Sequence, residues 1–448
     1  MGAPVPQPDT LPLMHRHAAG LDIGSDEIWA CVPADRDPVP VRTFGTFTPD
    51  LLALADWLAA CRIDTVAMES TGVYWIPIYE ILEARGLDPQ VVNARHLKHV
   101  PGRKTDEQDC QWIQRLHTFG LLTGSFRPEA ELRALRSYLR QRATLLEHRA
   151  AHIQHMQKAL LQMNLQLPQV LSDVTGVTGL AIVRAIVAGE HDPVRLARLR
   201  DPHCQSSQDE IAKALTGNYR PEHLFALKQA LALYDFYTEQ LQECDREIEH
   251  QFQAIKPVTD DPLPPSAKTD KKNSHSKNGP NYDARTLLFR ITGVDLVAIG
   301  GLNESSVQTI LSETGTTLDA FPTDKQFCSW LSLAPHHEIS GGKVLRRHTL
   351  KTGNRAGQVF RLAAQAVSRS QTALGAYFRK QRARLGPEKA IVATAHKIAR
   401  IFYHMLKERT PFRRLSAEEY QQRDRAREIA RLQNKAAKLG YELVAHPA

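Results

Sequence analysis

At 448 residues, 42% hydrophobic and 24% charged, the chain is too long for one ordinary core and too apolar for a disordered or fibrous protein, so two or three packed units are expected. No apolar run approaches the roughly 20 residues that span a bilayer, and Met1 to Ala19 lacks the apolar centre of a secretory signal, which points to a cytoplasmic protein without membrane contact. The net charge of +8 is uneven: Ser340 to Ala448 carries 24 Lys and Arg against 7 Asp and Glu, the footprint of a phosphate-binding segment or else of a solvated helix surface.

Ala18 to Val32 (AAGLDIGSDEIWACV) reads as an apolar strand that turns at Gly24 and Ser25 and resumes. A helical stretch from Asp50 to Cys61 leads to a short strand, Thr65 to Glu69 (TVAME), and Leu87 to Asn93 forms a third. Strands alternating with helices predict an α/β sheet domain over residues 15–125. From Glu129 to Asn164 apolar residues recur at helical spacing (Leu132, Leu135, Leu139, Leu146, Ile153, Leu160) without a breaker, which predicts one long helix. Pro168 and the Thr175 to Gly179 stretch interrupt it, and Glu222 to Ile255 returns with the same periodicity. Residues 126–255 therefore read as a long-helix, coiled-coil region, built as an antiparallel pair, a dimer seam or ordinary bundle packing. Residues 256–283, rich in Pro, Lys, Ser and Asn, are expected to form a flexible linker. Residues 284–410 read as compact and mainly helical, and 411–448 as a basic tail with a charged helix from Ser416 to Leu439. The six cysteines contain no C-x-x-C pair, which favours free buried thiols over a zinc ribbon or disulfide framework.

Four acids stand out. Asp22 lies in LDIG and Glu69 in AMESTG, each in or at the end of an apolar strand, where an unpaired carboxylate costs several kcal/mol and something cationic should face it. Asp106 and Asp109 lie in RKTDEQDC, and their i, i+3 spacing puts both on one face of a helix. Together the four can bind a pair of Mg²⁺ or Mn²⁺ ions, which in phosphoryl transfer activate the attacking oxygen and stabilise the leaving one. Taken singly, each also has a structural reading: Thr105 with Gln108 makes a capping box around Asp106, Asp22 suits a turn, and Glu69 suits an ion pair.

Ser340 is followed by Gly341 and Gly342, which permit close backbone approach and exposed amides of the kind that cradle phosphate, although Ser-Gly-Gly is also a plain turn. A serine needs a base or a metal to take its proton, and here metal held by the acids is the natural candidate, with His336 or His337 behind it. Lys343, Arg346, Arg347, Lys351 and Arg355 follow closely and suit scissile and flanking phosphates, as do Arg379, Arg382 and Arg384. Upstream, the glycine-bearing turn in ITGVDLVAIGGLNESS is similar to a helix-hairpin-helix unit, or is a simple helical corner. Aromatics are sparse in this basic region, so stacking on single-stranded bases is not strongly indicated.

LDIG, ESTGVYW and KTDEQDC, in this order, resemble the DEDD transposases of bacterial insertion sequences, whose first domain is like the Holliday-junction resolvase RuvC, an RNase H fold. FCSWLSLAPHHEISGGKVLRRHTLKTGNRAGQVFRLAAQAV resembles the second domain of that family, and similarity extends over about residues 18–408 with the longer subgroup. The resemblance places the family's acids on Asp22, Glu69, Asp106 and Asp109 and its serine on Ser340. It implies magnesium-dependent DNA cleavage and rejoining, donor and target DNA, a structured guide RNA, and a dimer or tetramer whose active sites draw on different protomers.

The resulting expectation is an insertion-sequence recombinase in which Ser340 attacks a DNA phosphate. Two other readings stay open, a RuvC-like nuclease or junction resolvase that uses water, and a nucleic-acid-binding protein without chemistry.

Overall fold

A computed structural model describes residues 12–69, 72–92, 105–265, 277–349 and 353–444. The chain forms two compact units divided between Arg127 and Pro128. Among the described residues no helix is long and apolar enough to cross a membrane.

The first unit is an α/β sheet. Strand β1 (Ala18–Ile23) turns back into β2 (Glu27–Cys31), and β3 (Val41–Gly45) follows. Helix α1 (Thr48–Ala60) leads to β4 (Thr65–Glu69), α2 (Trp75–Ala84) to β5 (Asp88–Val92), and α3 (Asp106–Thr118) closes the unit. The strand order is β3-β2-β1-β4-β5. β2 runs antiparallel to both β1 and β3, whereas β1, β4 and β5 are parallel. Period-two alternation divides the side chains between the faces. Ala19, Leu21, Val66, Met68 and Val91 join α1 and α2 in the larger core, and Ala67 and Val92 meet Ile113 of α3 on the other face. The sequence reading found β1, β2, β4 and β5 but neither β3 nor α2. β3 is an edge strand of partly exposed residues, with no alternating apolar face to announce it.

In the second unit, α4 (Ala130–Gln162) and α9 (Pro221–Ala254) are the two long helices expected from the periodicity, and they pack against each other within the chain. Their pairing is antiparallel, with Tyr138 beside Cys244, Arg142 beside Asp245 and His152 beside Tyr237. The turn between them carries α5 (Leu167–Val170), α6 (Val177–Val187), α7 (Pro193–Ala197) and α8 (Gln208–Ala214), which share an apolar core with both long helices.

The polar segment after α9 is tied at both described flanks. Arg142 Nε and Nη2 donate to the Asp245 carboxylate at 2.6 and 3.2 Å, while its other N–H groups reach the Asn278 and Gly279 carbonyls. On the near flank, Val258 N–H donates to Arg290 O at 2.7 Å and Arg285 reaches Pro264 O. Residues 256–265 and 277–283 thus spend their polar groups on the helices around them. The centre of the expected linker, 266–276, lies outside the described residues.

The remainder comprises α10 (Ala284–Thr292), a 3₁₀ turn at Leu296–Ala298, α11 (Glu304–Thr314), α12 (Asp324–Trp330), and the strands β6 (Pro335–Ser340) and β7 (Lys343–Thr349). Helices α13 (Arg355–Val367), α14 (Ala373–Leu385), α15 (Pro387–Glu408) and α16 (Ala417–Lys438) complete it. Phe327, Phe360 and Phe402 are fully buried at its centre, with Phe402 stacked on Phe327 and Phe360 edge-on to both. The glycine-bearing corner between α10 and α11 is held down by Gly301, whose φ is +89° and where a Cβ would stand 2.5 Å from Ala363 O of α13. The hairpin β6–β7 lies within a remainder that is mainly helical, as expected. Its signal was present as alternating residues on either side of Gly341-Gly342.

Candidate functional site

The parallel register pairs Ala18 with Thr65, Gly20 with Ala67 and Leu21 with Met68. The next residues on the two strands are Asp22 and Glu69, neighbours across a spacing of about 4.8 Å, at the carboxyl ends of both strands. By alternation they share the face of Gly20 and Ala67, the face that α3 covers. Helix α3 runs antiparallel to both strands. Gln114 Nε2 donates to Ala18 O at 3.3 Å, and His117 Nε2 lies 2.9 Å from Thr65 Oγ1, so the carboxyl end of α3 stands over the strand beginnings. Its amino end, with Asp106 and Asp109 in the first turn, therefore points toward the end that carries Asp22 and Glu69.

Gly20 makes this packing possible. A Cβ there would stand 2.3 Å from Gln114 N and 2.4 Å from Cys110 O, both backbone atoms, so any larger residue lifts the helix from the strand. Thr105 caps α3 by accepting Gln108 N–H at 3.3 Å, and the helix dipole favours acids in that first turn. Cys110 lies one turn in, close to Asp22. Its thiol is pushed up, first by its hydrogen bond with Cys31, then by burial, and further by the charge of Asp22. Asp22, Glu69 and Asp109 are half-buried and Asp106 is exposed. Among the described residues no group of three or more His, Cys, Asp or Glu side chains is drawn together closely enough to hold a metal ion. The fold thus aligns the four acids at one end of the sheet without closing them into a ligand cage.

Ser340 ends β6 and pairs with Lys343 across Gly341-Gly342, whose φ values of +54° and +77° make a two-residue turn of the type that glycine favours. Ser340, Gly341, Gly342, Lys343, Arg346 and Arg355 are exposed. Arg346 stands opposite Glu338 in the ladder, so part of the hairpin's positive charge is balanced locally. Apolar side chains are exposed there too, with Ile339 63% and Leu345 70% accessible. Lys351 and the side chains of His336, His337 and Arg347 lie outside the described residues. Of the other arginines named from the sequence, Arg379 donates to Ser370 O at 2.9 Å and Arg384 to Gln381 at 2.8 Å.

One group was missed. Tyr377, Phe412 and Tyr420, far apart in sequence, line a common cavity with Lys397 and several arginines. Helix packing gathers there residues that a linear count disperses. The available signal was Tyr420, Arg423 and Arg427, at i, i+3 and i+7 on one face of α16.

The first unit thus carries acids at its strand ends, and the mainly helical second unit carries exposed cations. Two family models identify the class of protein. Residues 19–165 match a DEDD transposase of the IS110 type, and residues 295–379 match the transposase family IS116/IS110/IS902. The chain belongs to the IS110 family of DEDD transposases, enzymes that cleave and recombine DNA. No match was found among curated proteins.

Proposed function

We propose that the chain is an insertion-sequence recombinase that joins DNA strands through a phosphoserine at Ser340, assisted by divalent metal at Asp22, Glu69, Asp106 and Asp109. The observation that carries this reading is the register that makes Asp22 and Glu69 neighbours, with the first turn of α3 directed to the same end. The strand order β3-β2-β1-β4-β5 supports a RuvC-like, RNase H fold for this unit. All four donors are carboxylates, the oxygen chemistry that suits Mg²⁺ or Mn²⁺. Bound there, the metal supplies Lewis-acid stabilisation of phosphoryl oxygens.

The serine's part balances without a co-reactant. Ser340 Oγ loses its proton and bonds to phosphorus, and the bond from phosphorus to one deoxyribose oxygen breaks, leaving a strand hydroxyl. A hydroxyl of the partner strand then attacks the phosphoserine, restoring the diester and releasing Oγ. Exposure at the tip of a two-residue turn gives Oγ access to a strand, and Lys343, Arg346, Arg347, Lys351 and Arg355 hold the flanking phosphates. Guidance by a structured RNA and action as a dimer or tetramer on donor and target DNA belong to the same reading.

Because Ser340 also suits an ordinary hairpin turn, a RuvC-like nuclease that uses water is the second reading. Ser340→Ala separates the two. On a nicked suicide substrate, the wild type should form a covalent adduct that mass spectrometry places on Ser340, and the variant should bind DNA yet lose adduct and cleavage together. Undiminished metal-dependent cleavage by the variant replaces the recombinase reading with the nuclease.

A further inference from the structure

Helices α14, α15 and α16 and the segment before α16 enclose an open cavity of about 210 Å³. Its apolar wall includes Leu374, Ile401, Phe412 and Leu415, and Tyr377 and Tyr420, which also line it, meet edge to face at 6.4 Å between ring centres. Lys397, Arg413, Arg414, Arg423 and Arg427 supply the cations, and no carboxylate is among the described lining residues. Asp424 on α16 is held by Lys380 at 2.6 Å. The Lys397 ammonium is lowered from its ordinary value by burial and then by the charges of Arg400 and Arg427.

Gathering these cations costs repulsion and desolvation that an anion removes. The apolar and aromatic wall selects an anion with a flat or apolar part, and the volume, somewhat above the ~150 Å³ that accommodates a benzene-sized ligand, admits part of one nucleotide and excludes a duplex. Gly300, from the corner between α10 and α11, also reaches the cavity. Most of the lining lies beyond residue 379, outside the matched family segments.

We propose that this cavity is a binding site for a single unpaired nucleotide of a nucleic-acid strand, its phosphate held by Lys397, Arg423 and Arg427 and its base or sugar set against Tyr377 and Tyr420. The source is a DNA or an RNA strand, since both present this chemistry. The site rests on the chain being a nucleic-acid enzyme and requires neither the serine nor the metal.

The test uses the full-length protein and fluorescent 5′-phosphorylated hexathymidylate and hexauridylate at fixed ionic strength. Arg423→Gln with Arg427→Gln should weaken binding at least about tenfold, and Tyr420→Leu by a similar factor, the range expected for one stacked base. Arg425→Gln with Lys435→Gln removes the same charge from α16 outside the cavity and should change affinity less than about twofold. Weakening confined to one oligonucleotide identifies its source, whereas weakening of both shows that the site takes either. Equal loss in pocket and control variants, or no loss in either, overturns the proposal. Photocrosslinking of a 5-iodouracil oligonucleotide to the wild type guards against a misfolded variant: adducts on Tyr377, Phe412 or Tyr420 support the site, and adducts confined to other residues overturn it. Ser340→Ala should bind both oligonucleotides as the wild type does, so failure of the phosphoserine reading leaves this result unaffected.

Discussion

The acids of the first unit and the cations of the second are positioned by different means. Asp22 and Glu69 are fixed by backbone hydrogen bonds between β1 and β4, and α3 is set on them by contact so close that one strand residue must be glycine. The cations around Tyr377 and Tyr420 stand on long side chains from separate helices, joined through ring contacts and the Lys380–Asp424 pair. Backbone register leaves little room for adjustment, and flexible side chains leave much. Substitutions at the first site should act nearly as all or none, and those at the second by degrees.

The sharpest test of that contrast lies in the acids. Asp22→Asn, Glu69→Gln, Asp106→Asn and Asp109→Asn should each lower DNA cleavage by about 100-fold or more, since each removes a charged donor without changing shape. Without metal the variants should be as stable as the wild type or slightly more so, because neighbouring like charges destabilise one another. Mg²⁺ at about ten times its dissociation constant should stabilise the wild type by about 1.4 kcal/mol in thermal or denaturant unfolding. Asp22→Asn should lose this response. Full cleavage in two of the four variants removes the metal assignment, and graded losses erase the contrast with the cationic cavity.

A smaller effect probes how the acids are held. Gly20→Ala touches no ligand, yet its Cβ would meet the α3 backbone. Overpacking of this kind costs about 1–3 kcal/mol, and displacing Asp106 and Asp109 by about 1 Å should lower cleavage by roughly 10- to 100-fold. Comparing the denaturation midpoint with the cleavage rate reads both. A variant with normal stability and activity shows that close apposition of strand and helix does not set the acid geometry.

These differences track what could be read along the chain. β1 and β4 announce themselves as apolar runs, and each carries its acid at the edge of the run, so Asp22 and Glu69 were legible together with their strands. Their register was not, because pairing depends on contacts between segments more than 40 residues apart. The long helices α4 and α9 were legible from periodicity, but their antiparallel partnership within one chain follows from pairs such as Arg142 and Asp245 that no local window contains. The hairpin β6–β7 left a signal only in the short alternation about Gly341-Gly342, between helical sequences on both sides. The cavity at Tyr377 and Tyr420 was hidden because its residues come from distant turns of three helices and one connecting segment.

The smallest expected effect concerns the other end of α3, where the helix is anchored to β4. His117 is fully buried, stacked on His15 at 4.8 Å between ring centres. Thr65 Oγ1 donates to Asp88 O at 2.9 Å, so it accepts from His117 Nε2–H, and Nδ1 is buried without a hydrogen-bond partner among the described residues. Burial first, and then the charge of His15, lowers the His117 pKa from 6.5 to about 4. Above pH 6.5 the ring is neutral in folded and unfolded chains and titration costs nothing. As pH falls from 6.5 toward 4 the unfolded chain takes up a proton that the folded chain refuses, so stability is lost over that window. Between pH 7 and pH 5 the loss should be about 1–2 kcal/mol. It should appear as a lower opening free energy for the amides of β4 and α3 in native-state hydrogen exchange. His117→Gln removes the titrating ring and should flatten this dependence in those amides. If their pH response is unchanged in the variant, acid lability in this unit has another source, and the anchoring of α3 does not depend on a neutral His117.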